Sequence, residues 1–120
     1  MITAYLYNSC SSCRNAEAIL KETGANFEKR EFFKQKFTRE ELTGILEQSG
    51  LSVTDLLSTR STPYREKGLA DQDLTDGEII DLMLEEPRLL KRPILVSGSD
   101  VVIGFKADET RNLVAMDKAR

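Results

Sequence analysis

Along this chain the spacing of hydrophobic positions switches several times between a period near two and a period near four. Residues 2–7 alternate and are rich in strand formers, which predicts a first strand, broken by Asn8-Ser9. From residue 12 to 23 the apolar positions Cys13, Ala16, Ile19 and Leu20 recur at helical spacing, and Gly24 follows as a stop signal. Residues 27–33 alternate again and predict a second strand. Thr38 with Glu41, Ser52 with Asp55 and Thr75 with Glu78 each set a hydroxyl three residues ahead of a carboxylate, the capping-box signature of a helix start. The first of these helices is expected to stop near Gly50. The last should bury Ile79, Ile80, Leu82, Met83 and Leu84 and end before Pro87. Residues 93–96 and 101–104 read as short strands joined by the turn Ser97-Gly98-Ser99-Asp100, and Asp108 as the cap of a last short helix ending near Ala115.

The element order is therefore β-α-β, a helical stretch over about 38–90, then β-β-α. That order is the plan of an α/β, thioredoxin-like (glutaredoxin-like) fold carrying a helical insertion. No linker separates the parts, so a single domain over residues 1–120 is expected.

Charge and composition narrow the chemistry. The 17 basic and 20 acidic side chains give a net charge of −3 and are interleaved. Binding nucleic acid directly by phosphate neutralisation is not expected of such a chain. The longest apolar runs, 94–96 and 101–103, are far too short to span a membrane, and neither a leader nor a lipidation motif is evident, so the cytoplasm is the expected location. There is no histidine, which excludes Cys-His dyads, Ser-His-Asp triads and imidazole metal ligands. With two cysteines, a structural zinc site would need two carboxylates or a second chain to complete it. No metal and no cofactor is expected.

What remains is thiol chemistry. Cys10-Ser11-Ser12-Cys13 falls between the first strand and the first helix, where free backbone N–H groups and the helix dipole favour an anion. A sulfur there has its pKa lowered and becomes a nucleophile at neutral pH. Cys13 shares the helical stripe of Ala16 and Leu20 and should face inward. Cys10 should be exposed, and hence the attacking thiol, with Cys13 resolving the mixed disulfide. The competing readings are two cysteines packed as small hydrophobes, or half of an intermolecular zinc site. Arg92-Pro93 stands immediately before a strand, where in thioredoxin-like folds a cis proline faces the CxxC. Arg92 is a candidate partner for the Cys10 thiolate or for an oxyanion, and Pro93 a candidate for the substrate-facing turn. Arg60, in the polar loop 58–64, could complete an anion pocket with Arg92. The run Glu28-Lys29-Arg30-Glu31 reads as a solvated strand face, and Phe32, Phe33 and Phe37 as core.

Tyr7-Asn8-Ser9-Cys10-Ser11-Ser12-Cys13-Arg14-Asn15-Ala16, Ser58-Thr59-Arg60-Ser61, Leu90-Lys91-Arg92-Pro93-Ile94 and Gly104-Phe105 together resemble the arsenate-reductase-like (ArsC/Spx) family over nearly the whole chain. The resemblance implies the thioredoxin-like fold with its insertion, Cys10 as the catalytic or sensing cysteine, and Arg92 as part of an anion site. It implies as electron donor a glutathione–glutaredoxin or thioredoxin system. Arsenate reductases of this family carry one cysteine followed by Gly-Thr-Ser and grip the oxyanion with three arginines. Here Cys13 replaces the serine and Arg92 matches one arginine. Ser58 stands where the second is expected, with Arg60 two residues on, and only Lys106 offers a charge near the third. The CxxC, Ser-Thr-Arg-Ser and Arg-Pro-Ile motifs are closest to the Spx branch of redox-sensing regulators, which implies the RNA polymerase α subunit as a partner. Where that branch has a polymerase-contacting glycine, this chain has Ser52, with Gly50 nearby. The phosphatase-like arsenate reductases need Cys-x5-Arg, and position 16 is alanine, so that class is excluded.

Overall fold

The computed structural model describes residues 1–120. The chain opens with β1 (Ile2–Leu6), α1 (Ser11–Glu22) and β2 (Phe27–Glu31). Four helices follow: α2 (Arg39–Ser49), α3 (Val53–Leu56), α4 (Thr62–Glu66) and α5 (Asp76–Glu85), with 3-10 turns at Leu69–Asp71 and Pro87–Leu89. The chain closes with β3 (Ile94–Ser97), β4 (Asp100–Ile103) and α6 (Ala107–Ala119). Two compact units result, residues 1–35 with 92–120 and residues 36–91.

The first unit is built on a four-stranded sheet of order β2-β1-β3-β4. β1 runs parallel to β2, with Ile2 opposite Phe27, and antiparallel to β3, which in turn pairs antiparallel with β4. Ala4, Leu95 and Val102 lie in one cross-strand row, so their side chains share a face. That face, with Ile2 and Leu6, is buried against Cys13 and Leu20 of α1 and Leu113 and Val114 of α6. Each such leucine or isoleucine contributes about 1.5–3 kcal/mol by leaving water. The opposite face of β1 carries Tyr5, buried, with the Arg30 guanidinium 5.9 Å from its ring centre. β1 is thus buried at four of its five positions, which departs from the alternation in its sequence; it lies inside the sheet, not at an edge. Arg30 and Glu31 are likewise half-buried, which corrects the reading of residues 28–31 as a wholly solvated face.

Several boundaries differ from expectation. β2 stops at Glu31 because the chain turns there, with the Glu31 carbonyl accepting from the N–H groups of Lys34 and Gln35, both at 3.0 Å. The β3–β4 hairpin has two loop residues, Gly98 at φ +59° and Ser99 with ordinary negative φ. Only the first needs a left-handed backbone, and glycine occupies it. The last helix is longer than expected. Asp108 lies inside its first turn, where its charge suits the dipole, and Lys106 holds the cap position.

In the second unit the capping boxes at Thr38/Glu41 and Thr75/Glu78 both form, and Gly50 ends α2 with φ +72°. At Ser52 the Asp55 carboxylate accepts from the backbone N–H at 2.9 Å and from the hydroxyl at 3.0 Å, and the helix it starts is a single turn. In α5, Ile79, Ile80 and Met83 are buried, whereas Leu82 and Leu84 are half-buried. Residues 58–64, expected as loop, contain the start of α4. The Ser61 hydroxyl donates to the Ser58 carbonyl at 2.9 Å and accepts from the Tyr64 N–H, and Pro63 fits the first turn because its missing N–H has no helical partner there. Leu57 bridges Leu90 in antiparallel fashion, and all four of Leu56, Leu57, Leu89 and Leu90 are buried.

Candidate active site

Cys10 is the N-cap of α1, in extended conformation at φ −93° and ψ 119°. Its carbonyl accepts the Arg14 N–H at 3.0 Å, which starts the helical ladder, and its sulfur accepts the Cys13 N–H at 3.3 Å. The sulfur thus fills the place that a serine or aspartate oxygen takes at an ordinary N-cap. Its own N–H donates to the Tyr7 carbonyl at 3.0 Å. The preceding turn is strapped by Arg14, which donates to the Asn8 carbonyl at 3.1 Å, and by Lys29, which reaches the Asn8 side chain at 2.8 Å.

The two thiols are unequal, as the helical stripe predicts. Cys13 is 1% exposed and belongs to the core between α1, the sheet and α6. Cys10 is half-buried rather than fully exposed, because the same core packs against its inner side. Burial alone would push the Cys10 thiol up. Hydrogen bonds from the Cys13 thiol, the Cys13 N–H and the Arg92 guanidinium, together with the charge of Arg92, outweigh it and hold Cys10 below the ordinary thiol range. Cys13 moves the opposite way. Burial, its hydrogen bond to Cys10 and the Cys10 charge push it up to about 12, against smaller lowering effects from Tyr7 and Arg92. The Cys10 thiol is thus the more acidic of the two and the Cys13 thiol the less.

Arg92 reaches this sulfur from the opposite end of the unit's sequence. The Arg92–Pro93 peptide bond is cis, the Pro93 carbonyl accepts the Gly104 N–H at 2.8 Å, and β3 begins at the next residue. The Arg92 guanidinium carbon lies 5.6 Å from the centre of the Phe33 ring. Phe33 stacks on Tyr7 with centres 4.0 Å apart and planes at 25°, and Phe32 meets it edge-on at 5.0 Å and 88°. Phe32 and Phe37 are core, as expected. Phe33 is not: it is half-buried and lies under Arg92, a placement that sequence reasoning missed.

Residues 5–113 match the ArsC family. The chain belongs to that family. Curated relatives include the regulatory protein MgsR of Bacillus subtilis, 38% identical over 93% of this chain and 89% of that protein. The global transcriptional regulator Spx of Streptococcus pyogenes is 33% identical over 98% of this chain and 87% of its own. Among solved structures, an ArsC-family-related protein from Bacteroides fragilis superposes with TM-score 0.83 at 31% identity, covering 93% of this chain and 97% of that one. An arsenate reductase from Vibrio cholerae gives TM-score 0.85 at 26% identity, over 93% and 96% of the two chains. The thioredoxin-like plan with residues 36–91 inserted between β2 and β3 is the family's fold.

Of the cations the sequence offered for an anion site, Arg92 is the one that acts on the Cys10 sulfur. Ser58 spends its N–H on the Leu89 carbonyl at 2.7 Å, and Arg60 is exposed in the turn before α4, in the second unit. Lys106 pairs with Glu109 at 3.6 Å. No cluster of three or more His, Cys, Asp or Glu side chains is arranged to hold a metal, and no helix is long and apolar enough to cross a membrane.

Proposed function

We propose that this ArsC-family chain is a thiol oxidoreductase in which Cys10 attacks and Cys13 resolves. The observation that carries the reading is the Cys10 sulfur at the α1 N-cap, accepting the Cys13 N–H at 3.3 Å, with the Cys13 thiol buried behind it. The Cys10 thiolate attacks one sulfur of a substrate disulfide and expels the other as a thiolate. Cys13 then loses its proton to solvent and attacks the Cys10 sulfur, releasing the second substrate thiolate and leaving a Cys10–Cys13 disulfide. The substrate gains two electrons and the chain loses two. Glutathione with glutaredoxin, or thioredoxin, is the proposed class of donor that restores the dithiol.

Arg92 supports the thiolate and, with Pro93 at the substrate-facing turn, would receive an anionic substrate. Arsenate reduction is expected to be slow beside disulfide exchange. Only Arg92 matches the three-arginine grip that the resemblance implies, and Lys106 is engaged with Glu109 at 3.6 Å.

A second reading is favoured by the curated relatives, which are named as regulators and align over most of their own length. In it the Cys10–Cys13 disulfide changes the affinity of the chain for the RNA polymerase α subunit, with no turnover required. One paired experiment separates the two. Reductant consumption with a disulfide or arsenate as acceptor is measured for the chain and for Cys10→Ser, and capture by the polymerase α C-terminal domain is measured in both redox states. Cys10-dependent turnover supports the oxidoreductase. Redox-dependent capture without turnover replaces it with the regulator.

A further inference from the structure

We propose that Phe33 is a positioning residue that holds the Arg92 guanidinium against the Cys10 sulfur, a role that rests on the reading of Cys10 as the working thiol. Phe32 and Phe33 are consecutive in the turn that follows β2, and their side chains part there. Phe32 takes the inner side and is fully buried; Phe33 is turned to the surface, half-buried. Its ring is fixed from two directions, by the stack on Tyr7 at 4.0 Å and by the edge of Phe32 at 5.0 Å. Tyr7 also gives its carbonyl to the Cys10 N–H at 3.0 Å, so the platform and the nucleophile share one strand end.

Arg92 lies over this platform at 5.6 Å, inside the range in which a ring face attracts a cation. A guanidinium on a long side chain has many rotamers, and a flat ring selects those that lie along it. The groups acting on the Cys10 sulfur are Cys13, from α1, and Arg92. Arg14 and Lys29, from α1 and β2, are instead engaged at Asn8. Phe33 therefore acts on the thiol through Arg92.

The test follows the pH dependence of Cys10 alkylation by iodoacetamide, resolved by peptide mass, in the full chain. Phe33→Leu keeps an apolar side chain and removes the ring face. It should raise the Cys10 midpoint by about 0.5 pH unit, roughly a threefold loss of thiolate at a fixed pH below it. Phe33→Trp should hold the midpoint or lower it. In an Arg92→Ala background, Phe33→Leu should add nothing. If Phe33→Leu fails to fold, Phe33→Met carries the same comparison. An unmoved midpoint in Phe33→Leu, where Arg92→Ala alone raises it, overturns the proposal and leaves Arg92 as the thiolate partner. An equal shift in both backgrounds also overturns it, because the ring then acts by another route. If Arg92→Ala moves nothing, the proposal and the role of Arg92 fall together. An ordinary thiol midpoint in the unaltered chain would instead remove the underlying reading of Cys10.

Discussion

Replacing Cys13 by alanine should make Cys10 a weaker acid, and replacing it by serine should not. The Cys13 thiol hydrogen-bonds the Cys10 sulfur and is the strongest of the influences that lower the Cys10 pKa; its N–H, at 3.3 Å, and Arg92 supply the others. Alanine removes the side-chain donor and keeps the N–H. A hydrogen bond to a charged acceptor contributes roughly 1.5–3 kcal/mol, and solvent reaches the half-buried Cys10, so the lower end applies. With 1.36 kcal/mol per pKa unit, the Cys10 midpoint should rise by about 1 pH unit in Cys13→Ala. Serine offers a hydroxyl in the same place and should keep the midpoint within a few tenths of its original value.

The assay is iodoacetamide alkylation against pH, and each variant has a single thiol, so the curve belongs to Cys10 alone. The midpoint, not the rate at one pH, is the quantity to compare. A thiolate of higher pKa is intrinsically more nucleophilic, with a Brønsted coefficient of about 0.4–0.5, which offsets part of the loss in thiolate fraction. Equal midpoints in the alanine and serine variants would refute the reasoning, since the two differ only in the donor. A lower midpoint in Cys13→Ala would refute it more strongly.

Two further outcomes are expected from the same kind of linkage. Burial first, then Cys10, pushes the Cys13 thiol up from an ordinary 9.0 to about 12 in the folded chain, so the unfolded chain gives up that proton first; the stability of the parent chain minus that of Cys13→Ala should decline as pH rises from about 9 to about 12, read by urea unfolding. Asp117 is held below the ordinary carboxyl range first by the Ser97 hydroxyl, at 2.7 Å, and by the Met1 amino group, so its contribution is present above the unfolded carboxyl pKa and lost on acidification; Asp117→Asn should flatten the acid limb of the stability curve, measured by thermal unfolding from pH 6 to 3.

The parts of this molecule legible in sequence are those fixed by local chemistry. The capping boxes at Thr38 and Thr75, the stop at Gly50 and the Gly98 turn each use side chains or backbone signs within a few residues, and all are where the spacing places them. Cys10 and Cys13 belong to the same class, because a helix start and a helical stripe decide which sulfur faces out. The missed features depend on residues far apart in the chain. α6 runs on to Ala119, about one turn past the expected end, and its Asp117 accepts the Ser97 hydroxyl across 20 positions. Phe33 meets Tyr7 across 26 positions of sequence and Arg92 across 59, and no local period encodes that meeting. The two phenylalanines are adjacent, but they lie in the turn after β2, where no strand alternation says which of them faces inward.

The unequal thiols also impose an order on the chemistry. While Cys10 is a thiolate, its charge and its hydrogen bond both hold the proton on Cys13, in addition to burial. Cys13 is then a poor nucleophile, which protects the resting dithiol from closing or reacting out of turn. Once Cys10 forms a mixed disulfide, its negative charge leaves with the expelled thiolate and its sulfur becomes a much weaker acceptor. Two of the three influences that raise Cys13 vanish together, and only burial is left. The proton on Cys13 is therefore released most readily at the moment when Cys13 has a bond to attack. The trigger is the loss of charge at Cys10 and requires no change of fold, so the sequence of attack and resolution follows from electrostatics at one helix N-terminus. The same ordering serves turnover, by limiting the lifetime of the mixed disulfide, and signalling, by converting a first disulfide or sulfenic acid at Cys10 into one defined product, the Cys10–Cys13 disulfide.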